Sequence, residues 1–191
     1  MNSLNLVLDN YNLVVKDIIL LENTNFNIKF NKLILGGRNG TGKSTFLKYI
    51  HAGQVMLLNS KDKKATTSFS AQHNVLIEEY TVLSNAKVFR VDLKEFKSLL
   101  NIFNKNIDIN KKISDLSGGQ KQLVNILLAL SLKRDVYLLD EPLNNLDHNV
   151  KDKFKEYLQK TNKNIIIVSH ELIELDNYQK IKIEKRGLIN G

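Results

Sequence analysis

The sequence contains no cysteine and no tryptophan, and only one proline in 191 residues. The missing cysteines exclude a disulfide framework, thiolate-ligated zinc or iron–sulfur sites, and catalysis by a thiol. No apolar run approaches the roughly 18 residues of a membrane-spanning helix. The N-terminal residues also lack the basic start and apolar core of a signal peptide. The chain is therefore expected neither to span a membrane by itself nor to be secreted.

The composition is typical of a folded globular domain, with 42% hydrophobic and 25% charged residues. This mixture and the length predict one domain with a core of its own. The net charge of +8 is compatible with nucleic acid, an anionic membrane surface or a phosphorylated ligand, and does not choose among them. The densest basic cluster, Lys61, Lys63 and Lys64, is interpreted as a solvated loop.

Glycine is concentrated in two short clusters, which hold six of the nine glycines. Glycine is needed where the backbone turns with positive φ or closely approaches a ligand. The first cluster, Gly37 to Ser44, fits the phosphate-loop pattern G-x-x-x-x-G-K-[ST], with an apolar run before it and a helical pattern after it. In such a loop the backbone N–H groups surround a polyphosphate, Lys43 reaches the β- and γ-phosphates, and the Ser44 hydroxyl binds Mg²⁺.

A second pattern is the apolar run Val136 to Leu139, which ends in Asp140 and Glu141. Beside a phosphate loop, an aspartate at this place holds the Mg²⁺ shell, and the next glutamate is suited to polarise the attacking water. The alternative is that the two acids simply begin a turn before Pro142.

The second glycine cluster, Ser117-Gly118-Gly119-Gln120, opens a helical pattern. It is either a helix start capped by the serine or a second anion site formed by a hydroxyl and free backbone N–H groups. Because the chain has one phosphate loop, a second anion site suggests a nucleotide bound from two sides.

Apolar runs alternate with helical patterns along the chain and end in polar residues, which predicts an α/β domain with a mainly parallel sheet. The runs are Leu33–Leu35, Val136–Leu139 and Ile165–Val168. Residues 4–15 and 24–30 alternate as half-buried strands do, and residues 82–112 follow a helical spacing.

Taken in order, the motifs resemble the ATP-binding-cassette (ABC) family over about residues 4–183. Two segments lie close to the family's patterns: Leu-Ser-Gly-Gly-Gln at 116–120 resembles its signature, and Leu-Leu-Asp-Glu-Pro follows at 138–142. Three single residues resemble further motifs, namely Gln72 of the Q-loop, Asp147 of the D-loop and the switch histidine His170.

The resemblance implies a P-loop NTPase-type α/β fold with a mainly parallel sheet, a small antiparallel β-subdomain and an inserted α-helical subdomain. It implies one domain over residues 1–191, with the helical subdomain at approximately 73–130. The interval between Lys43 and Gln72 is short, so the β-subdomain is expected to be reduced.

The resemblance also implies a head-to-tail pair of cassettes, with each ATP between the phosphate loop of one copy and the signature of the other. The implied catalytic residues are Glu141, His170, Lys43 and Gln72, and the implied Mg²⁺ ligands are Ser44, Gln72 and Asp140. The implied nucleotide contacts are Gly37, Arg38, Asn39, Gly40, Thr41, Gly42, Lys43, Ser44, Thr45, Tyr11, Ser117, Gly118, Gly119, Gln120 and Asp147. Tyr11 would stack on adenine, although Leu13 or Val14 falls at that place in another register.

The function implied by the resemblance is the ATP-hydrolysing subunit of an ABC transporter, with ATP and Mg²⁺ as cofactors. Its partners would be a second cassette, expected to form a homodimer, and a separately encoded transmembrane subunit that contacts Leu76, Ile77 and Val82 unless these residues fill the core. The chain would then be cytoplasmic and peripheral at the inner face of the cell membrane. No accessory domain follows His170, which favours export and the absence of a C-terminal regulatory module.

The alternative function is a non-transport cassette acting on the ribosome or nucleic acid. The net charge and the segment Asn144-Asn145-Leu146-Asp147 favour it. The lack of a second cassette and of a long coiled coil weighs against it, so no direct nucleic-acid contact is expected.

Overall fold

The computed structural model describes residues 3–71, 75–104, 106–169 and 175–191. The predicted site residues Gln72 and His170 lie outside these ranges. In chain order the elements are β1 (Leu4–Val15), β2 (Ile18–Phe30), β3 (Lys32–Gly36), α1 (Lys43–His51), β4 (Met56–Leu58), β5 (Thr67–Ser70), α2 (Val82–Val88), α3 (Leu93–Asn104), a short 3₁₀ helix (Ile113–Asp115), α4 (Gly118–Leu130), β6 (Val136–Asp140), α5 (His148–Lys160), β7 (Ile165–Val168), β8 (Gln179–Glu184) and β9 (Gly187–Asn190).

The central sheet has six strands in the order β5-β6-β7-β3-β8-β9. All neighbouring pairs are parallel except β8 and β9, which form an antiparallel hairpin. Every residue of β6 and β7 is buried, which explains why these strands are continuous apolar runs in the sequence. The predicted α/β class with a mainly parallel sheet is confirmed.

A smaller antiparallel sheet with the order β2-β1-β4 packs beside the central one. Strand β1 pairs with β2 from Leu4 opposite Phe30 to Val15 opposite Ile18. Strand β2 thus begins six residues earlier than the alternation starting at Thr24 predicted. The strands β8 and β9 were not predicted, since each is short and only β8 shows an alternating pattern.

Two hydrophobic cores cover the two faces of the central sheet. Leu33 and Leu35 of β3 face a core shared with α1 and the antiparallel sheet. Ile34, between them, faces the core that contains α3, α4 and α5. The alternation of side chains along a strand thus places helices on both sides of the phosphate-loop strand. Among the described residues, no helix has the length and apolar character needed to cross a bilayer.

The segment predicted as helical, residues 82–112, contains two helices, and its residues 106–112 are not helical. Helix α2 ends before Arg90, whose φ of 54° cannot continue an α-helix. Asp92 then accepts hydrogen bonds from the backbone N–H groups of Lys94 and Glu95 and so starts α3. The sequence pattern did not predict the interruption between α2 and α3, because no glycine or proline lies there.

An aromatic cluster joins α3 to α5. The ring centroid of Phe103 lies 5.6 Å from that of Phe154 and 5.5 Å from that of Tyr157, and Phe154 is fully buried. We expect Phe154→Ala to lower the free energy of unfolding by about 3–5 kcal/mol, since it removes a buried ring and leaves a cavity. Denaturant unfolding measures this loss. Ile102→Ala on the exposed side of α3 is the control, and an equal loss in both variants would contradict the role of the cluster.

Candidate functional site

The predicted phosphate-loop residues Gly37–Thr45 form the connection from β3 into the first turn of α1. The loop needs glycine where the backbone is left-handed, as at Gly42, whose φ is 90° at the N-cap position of α1. A side chain at Gly40 would meet no atom within 4 Å, so the loop is open on that side. The start of α1 therefore presents backbone N–H groups at a turn that a polyphosphate can approach.

Lys43 is held inside this loop. Its side chain is only 7% exposed, and its Nζ donates to the carbonyl oxygens of Gly37 and Arg38, both at 3.0 Å. A buried ammonium requires such partners, and here they belong to the loop itself. The charge that was predicted to reach the β- and γ-phosphates is therefore fixed in position by the loop.

The two described metal-ligand candidates lie in contact although they are 96 residues apart. Ser44, in the first turn of α1, donates its hydroxyl proton to Oδ1 of Asp140 at 2.8 Å. Burial raises the pKa of the Asp140 carboxyl above its usual range, while the hydrogen bond from Ser44 and the charge of Lys48 act in the opposite direction. A hydroxyl and a carboxylate side by side form an oxygen donor set of the kind that Mg²⁺ uses together with phosphate oxygens and water.

Glu141 follows directly and has an unusual backbone. Its φ is 47°, in the left-handed region, and it precedes Pro142, where extended backbone is favoured. Its backbone N–H donates to the carbonyl of Val168 at 2.8 Å, which ties the end of β6 to the end of β7. Strained backbone of this kind costs about 1–3 kcal/mol and occurs preferentially at functional sites. The structure thus places the predicted base at the carboxyl edge of the sheet, next to Asp140.

The signature residues form a capped helix start. The Ser117 hydroxyl accepts from the backbone N–H of Gln120 at 3.3 Å, and the Gln120 side-chain oxygen accepts from the N–H of Ser117 at 3.0 Å. This reciprocal pair is a capping box, so the side chains of both residues are used within the chain. Ser117 and Gly118 remain exposed, and the first turn of α4 thus stays accessible to an anion.

Gly119 is in close contact with the predicted D-loop. A Cβ atom at this position would lie 2.5 Å from the carbonyl oxygen of Asn145, so a side chain here would displace that loop. Asp147 itself caps α5, because its carboxylate accepts from the backbone N–H of Val150 at 2.9 Å. Its nucleotide contact stays a prediction, while its capping role within the chain is a finding that sequence reasoning missed.

The two elements that are predicted to bind anions line two separate clefts. One, of about 240 Å³, lies between the start of α4 and the D-loop. The other, of about 770 Å³, lies between the phosphate loop and the end of β8. They share no lining residue. No sequence motif predicts that residues at the end of β8 line the second cleft.

Tyr11 does not lie at the phosphate loop. Its hydroxyl donates to the carbonyl of Gln54, which follows the last turn of α1, at 3.2 Å. Helix α1 has nine residues, so about 13 Å separate its two ends. The structure therefore does not support the prediction that Tyr11 stacks on adenine bound at the start of this helix.

The turn between β1 and β2 lies much closer to the loop. A Cβ atom at Gly42 would lie 2.7 Å from both terminal methyl carbons of Leu20. Beside Leu20, Val14 is paired with Ile19, and the side chains of Val14 and Ile18 are 53% and 63% exposed. The alternative prediction, in which Val14 instead of Tyr11 lies near the adenine, thus agrees better with the structure.

Comparison with known proteins places this geometry in a family. A family model described as "ABC transporter" matches residues 21–144. The spermidine/putrescine import ATP-binding protein PotA of Mycoplasma capricolum subsp. capricolum is 31% identical over 196 residues, which cover 90% of this chain and 56% of that protein. The methionine import ATP-binding protein MetN of Staphylococcus haemolyticus is 29% identical over 202 residues, which cover 90% of this chain and 59% of that protein. The chain thus spans somewhat more than half the length of these relatives.

Solved structures show the same fold. An ATP-binding subunit of an ABC transporter superposes with a TM-score of 0.81 and 20% identity, covering 98% of this chain and 89% of that one. The dimeric ATP-binding cassette MJ0796 bound to ADP and Pi gives a TM-score of 0.74 and 23% identity, covering 100% of this chain and 98% of that one. The chain belongs to the ABC transporter family and has the fold of its ATP-binding cassettes.

Proposed function

We propose that this chain is the ATP-binding and ATP-hydrolysing subunit of an ABC transporter. The observation that carries the proposal is the meeting of Lys43, Ser44, Asp140 and Glu141 around the start of α1 and the carboxyl edge of the sheet. A cation, an oxygen donor pair and an adjacent carboxylate are the parts that nucleotide hydrolysis requires. The names of the relatives, which are ATP-binding proteins of import systems, support the same assignment.

In the proposed reaction the phosphate loop holds the phosphate chain of ATP, and Lys43 neutralises part of its charge. Ser44 and Asp140 would hold Mg²⁺, which supplies further charge neutralisation at the phosphates. Glu141 accepts a hydrogen bond from the attacking water and orients it towards the γ-phosphate. The roles of Gln72 and His170 stay predictions from the family resemblance.

We further propose that two copies of this chain form the complete site. The signature turn at Ser117 and Gly118 is exposed and lines a cleft apart from the phosphate loop. In a head-to-tail dimer, this turn of one copy would cover the phosphates bound by the other.

The rate of ATP hydrolysis at increasing protein concentration tests this function. We expect Mg²⁺-dependent hydrolysis that increases more than linearly with concentration, because the site needs two chains. A linear dependence in a monomeric sample would contradict the two-chain site, and no hydrolysis at all would contradict the function. Strong stimulation by RNA at physiological salt would instead favour the alternative of a cassette that acts on nucleic acid.

The predicted contacts for the membrane subunit need correction. Val82 is fully buried and the half-buried Leu76 packs against the helical core, so these two residues contribute to the core, while the contact of the half-buried Ile77 stays a prediction. A groove of about 190 Å³ is lined among others by Val75, Phe89 and Leu132. Val75 is 60% exposed, and we propose this groove for a cytoplasmic helix of the separately encoded membrane subunit. This contact would hold the chain at the inner face of the membrane.

The expectation of export rested on the residues that follow His170, whereas the relatives named above belong to import systems.

The substitution Asp140→Asn is expected to change the stability of the chain and its Mg²⁺-dependent hydrolysis in opposite directions. Burial raises the pKa of Asp140, so the ionised carboxylate is less favourable in the folded chain than in the unfolded chain. The folded chain therefore loses stability as the pH rises from the pKa of Asp140 in the unfolded chain to its higher pKa in the folded chain. We expect the variant to unfold at a higher temperature than the native chain at pH 7, with a smaller difference at pH 4. Mg²⁺-dependent hydrolysis should fall sharply in the same variant. A lower melting temperature at pH 7 would contradict this account of Asp140.

A further inference from the structure

The cleft beside the phosphate loop is lined on one side by the loop and on the other by residues at the end of β8, which belong to none of the sequence motifs. Its lining residues are Gly37, Arg38, Asn39, Thr41, Lys182, Ile183, Glu184 and Lys185. Its volume of about 770 Å³ is large enough for a nucleotide. Three of these side chains are cationic and one is anionic, so the cleft carries a net positive charge next to the loop that would bind phosphates.

Lys182 is placed at the loop by the pairing of β8 with β3. The two strands are parallel, with Lys182 opposite Gly36, the residue before the phosphate loop. The Cγ atom of Lys182 lies 3.3 Å from the position that a Cβ atom at Gly36 would take. The missing side chain at Gly36 therefore lets the lysine stem run close to the strand that carries the loop.

Neither Lys182 nor Lys185 is neutralised by an ion pair within the described part of the chain. In contrast, Lys121, Lys160 and Lys163 each bind a carboxylate there. Lys182 and Lys185 are exposed, while Ile181 and Ile183 of the same hairpin are buried in the core. The two isoleucines thus pack the hairpin into the core, and the ammonium groups of Lys182 and Lys185 lie at the cleft.

We propose that Lys182 and Lys185 bind the phosphate chain of the nucleotide and form a cationic wall beside the phosphate loop. This inference rests on the proposed ATP-binding function and adds two positioning residues to it. Such a wall agrees with the position of Tyr11, whose hydroxyl donates to the carbonyl of Gln54 beyond the far end of α1. Affinity in this chain then comes mainly from charge, so it is sensitive to salt and tolerant of the base.

The test is the double variant Lys182→Met, Lys185→Met in the full chain. We expect the KM for Mg²⁺-ATP to rise about tenfold with kcat unchanged, because exposed charges that hold substrate and transition state equally change only binding. Competition by inorganic tripolyphosphate should weaken by a similar factor, and Lys182→Arg, Lys185→Arg should restore both values. The variant Lys94→Met, Lys97→Met on the exposed side of α3 removes the same charge and should leave KM unchanged.

Three outcomes overturn the proposal. The first is an unchanged KM in the double variant, and the second is an equal rise in the α3 control, which would indicate a general charge effect. The third is a weaker affinity for ATP with unchanged competition by tripolyphosphate, which would place the lysines at the base or ribose. If the native chain itself fails to bind ATP, the proposed function fails instead, so the two failures are distinguishable.

Discussion

Replacing Glu141 by glutamine is expected to slow ATP hydrolysis by about 10²–10⁴-fold while ATP binding persists. Glutamine keeps the size of the side chain and accepts a hydrogen bond, but it cannot take up the proton of the attacking water. The backbone of Glu141 stays fixed by its hydrogen bond to Val168, so the substitution changes the chemistry and leaves the geometry intact. Single-turnover hydrolysis and the binding of a fluorescent ATP analogue measure the two properties separately.

Glu156→Gln is the matched control, since Glu156 is an exposed residue of α5 whose carboxylate binds Lys160. This control should hydrolyse ATP at the native rate. With Glu141→Gln we also expect ATP to drive the chain from monomer to dimer, because bound ATP is no longer consumed. Native turnover in Glu141→Gln would remove this residue from the role of base.

Replacing Lys43 by alanine is expected to weaken ATP binding by about 10- to 100-fold, the effect of losing charge-assisted hydrogen bonds to phosphate. Lys43 is buried in the loop, so an exposed lysine beside the loop cannot take its place. The carbonyl oxygens of Gly37 and Arg38 also lose their hydrogen bonds from Lys43, and only that of Arg38 still accepts from Thr41, so the loop should become less ordered. Isothermal titration calorimetry with Mg²⁺-ATP measures the change in affinity.

Lys97→Ala, on the exposed side of α3, removes the same charge at a distance from the loop and should bind ATP normally. Thermal unfolding of both variants shows whether the loss comes from the site or from the fold. Equal ATP affinity in Lys43→Ala and the native chain would contradict the assignment of this loop to the phosphates.

The phosphate loop and the acidic residues at the end of β6 were predictable because each is marked by a short stretch of neighbouring residues in the sequence. The spacing of glycine, Lys43 and Ser44 determines a loop at the start of a helix, and a buried strand ending in Asp140 marks the edge where ligands bind. The hydrogen bond between Ser44 and Asp140 follows from these two local patterns once both strands belong to one parallel sheet.

The position of Tyr11 was not predictable from a pattern of alternation. The pairing of β1 with β2 has irregularities on both sides of Tyr11 and again between Leu13 and Val14. Each irregularity changes which residues lie opposite each other, so counting along the sequence from the phosphate loop gives the wrong neighbour.

The contribution of β8 escaped prediction for a different reason. Lys182 and Lys185 lie 139 and 142 residues after Lys43, and only the parallel pairing of β8 with β3 brings them to the loop. A lysine in an alternating strand has the same appearance in the sequence whether it faces solvent or a ligand. The break at Arg90 between α2 and α3 was likewise hidden, because its positive φ occurs at a residue that usually continues a helix.

The claim that one ATP site is built from two copies of this chain is tested most directly by mixing two inactive variants. Lys43→Ala lacks a working phosphate loop, and Ser117→Arg blocks the exposed signature turn. In a head-to-tail dimer of one copy of each, both defects fall in one site and the other site is intact. At an ATP concentration near the native Kd, we predict that each variant alone is nearly inactive and that an equal mixture regains about a quarter of native hydrolysis, as expected if half of the dimers are mixed. A mixture that stays inactive while both variants remain folded would contradict the account.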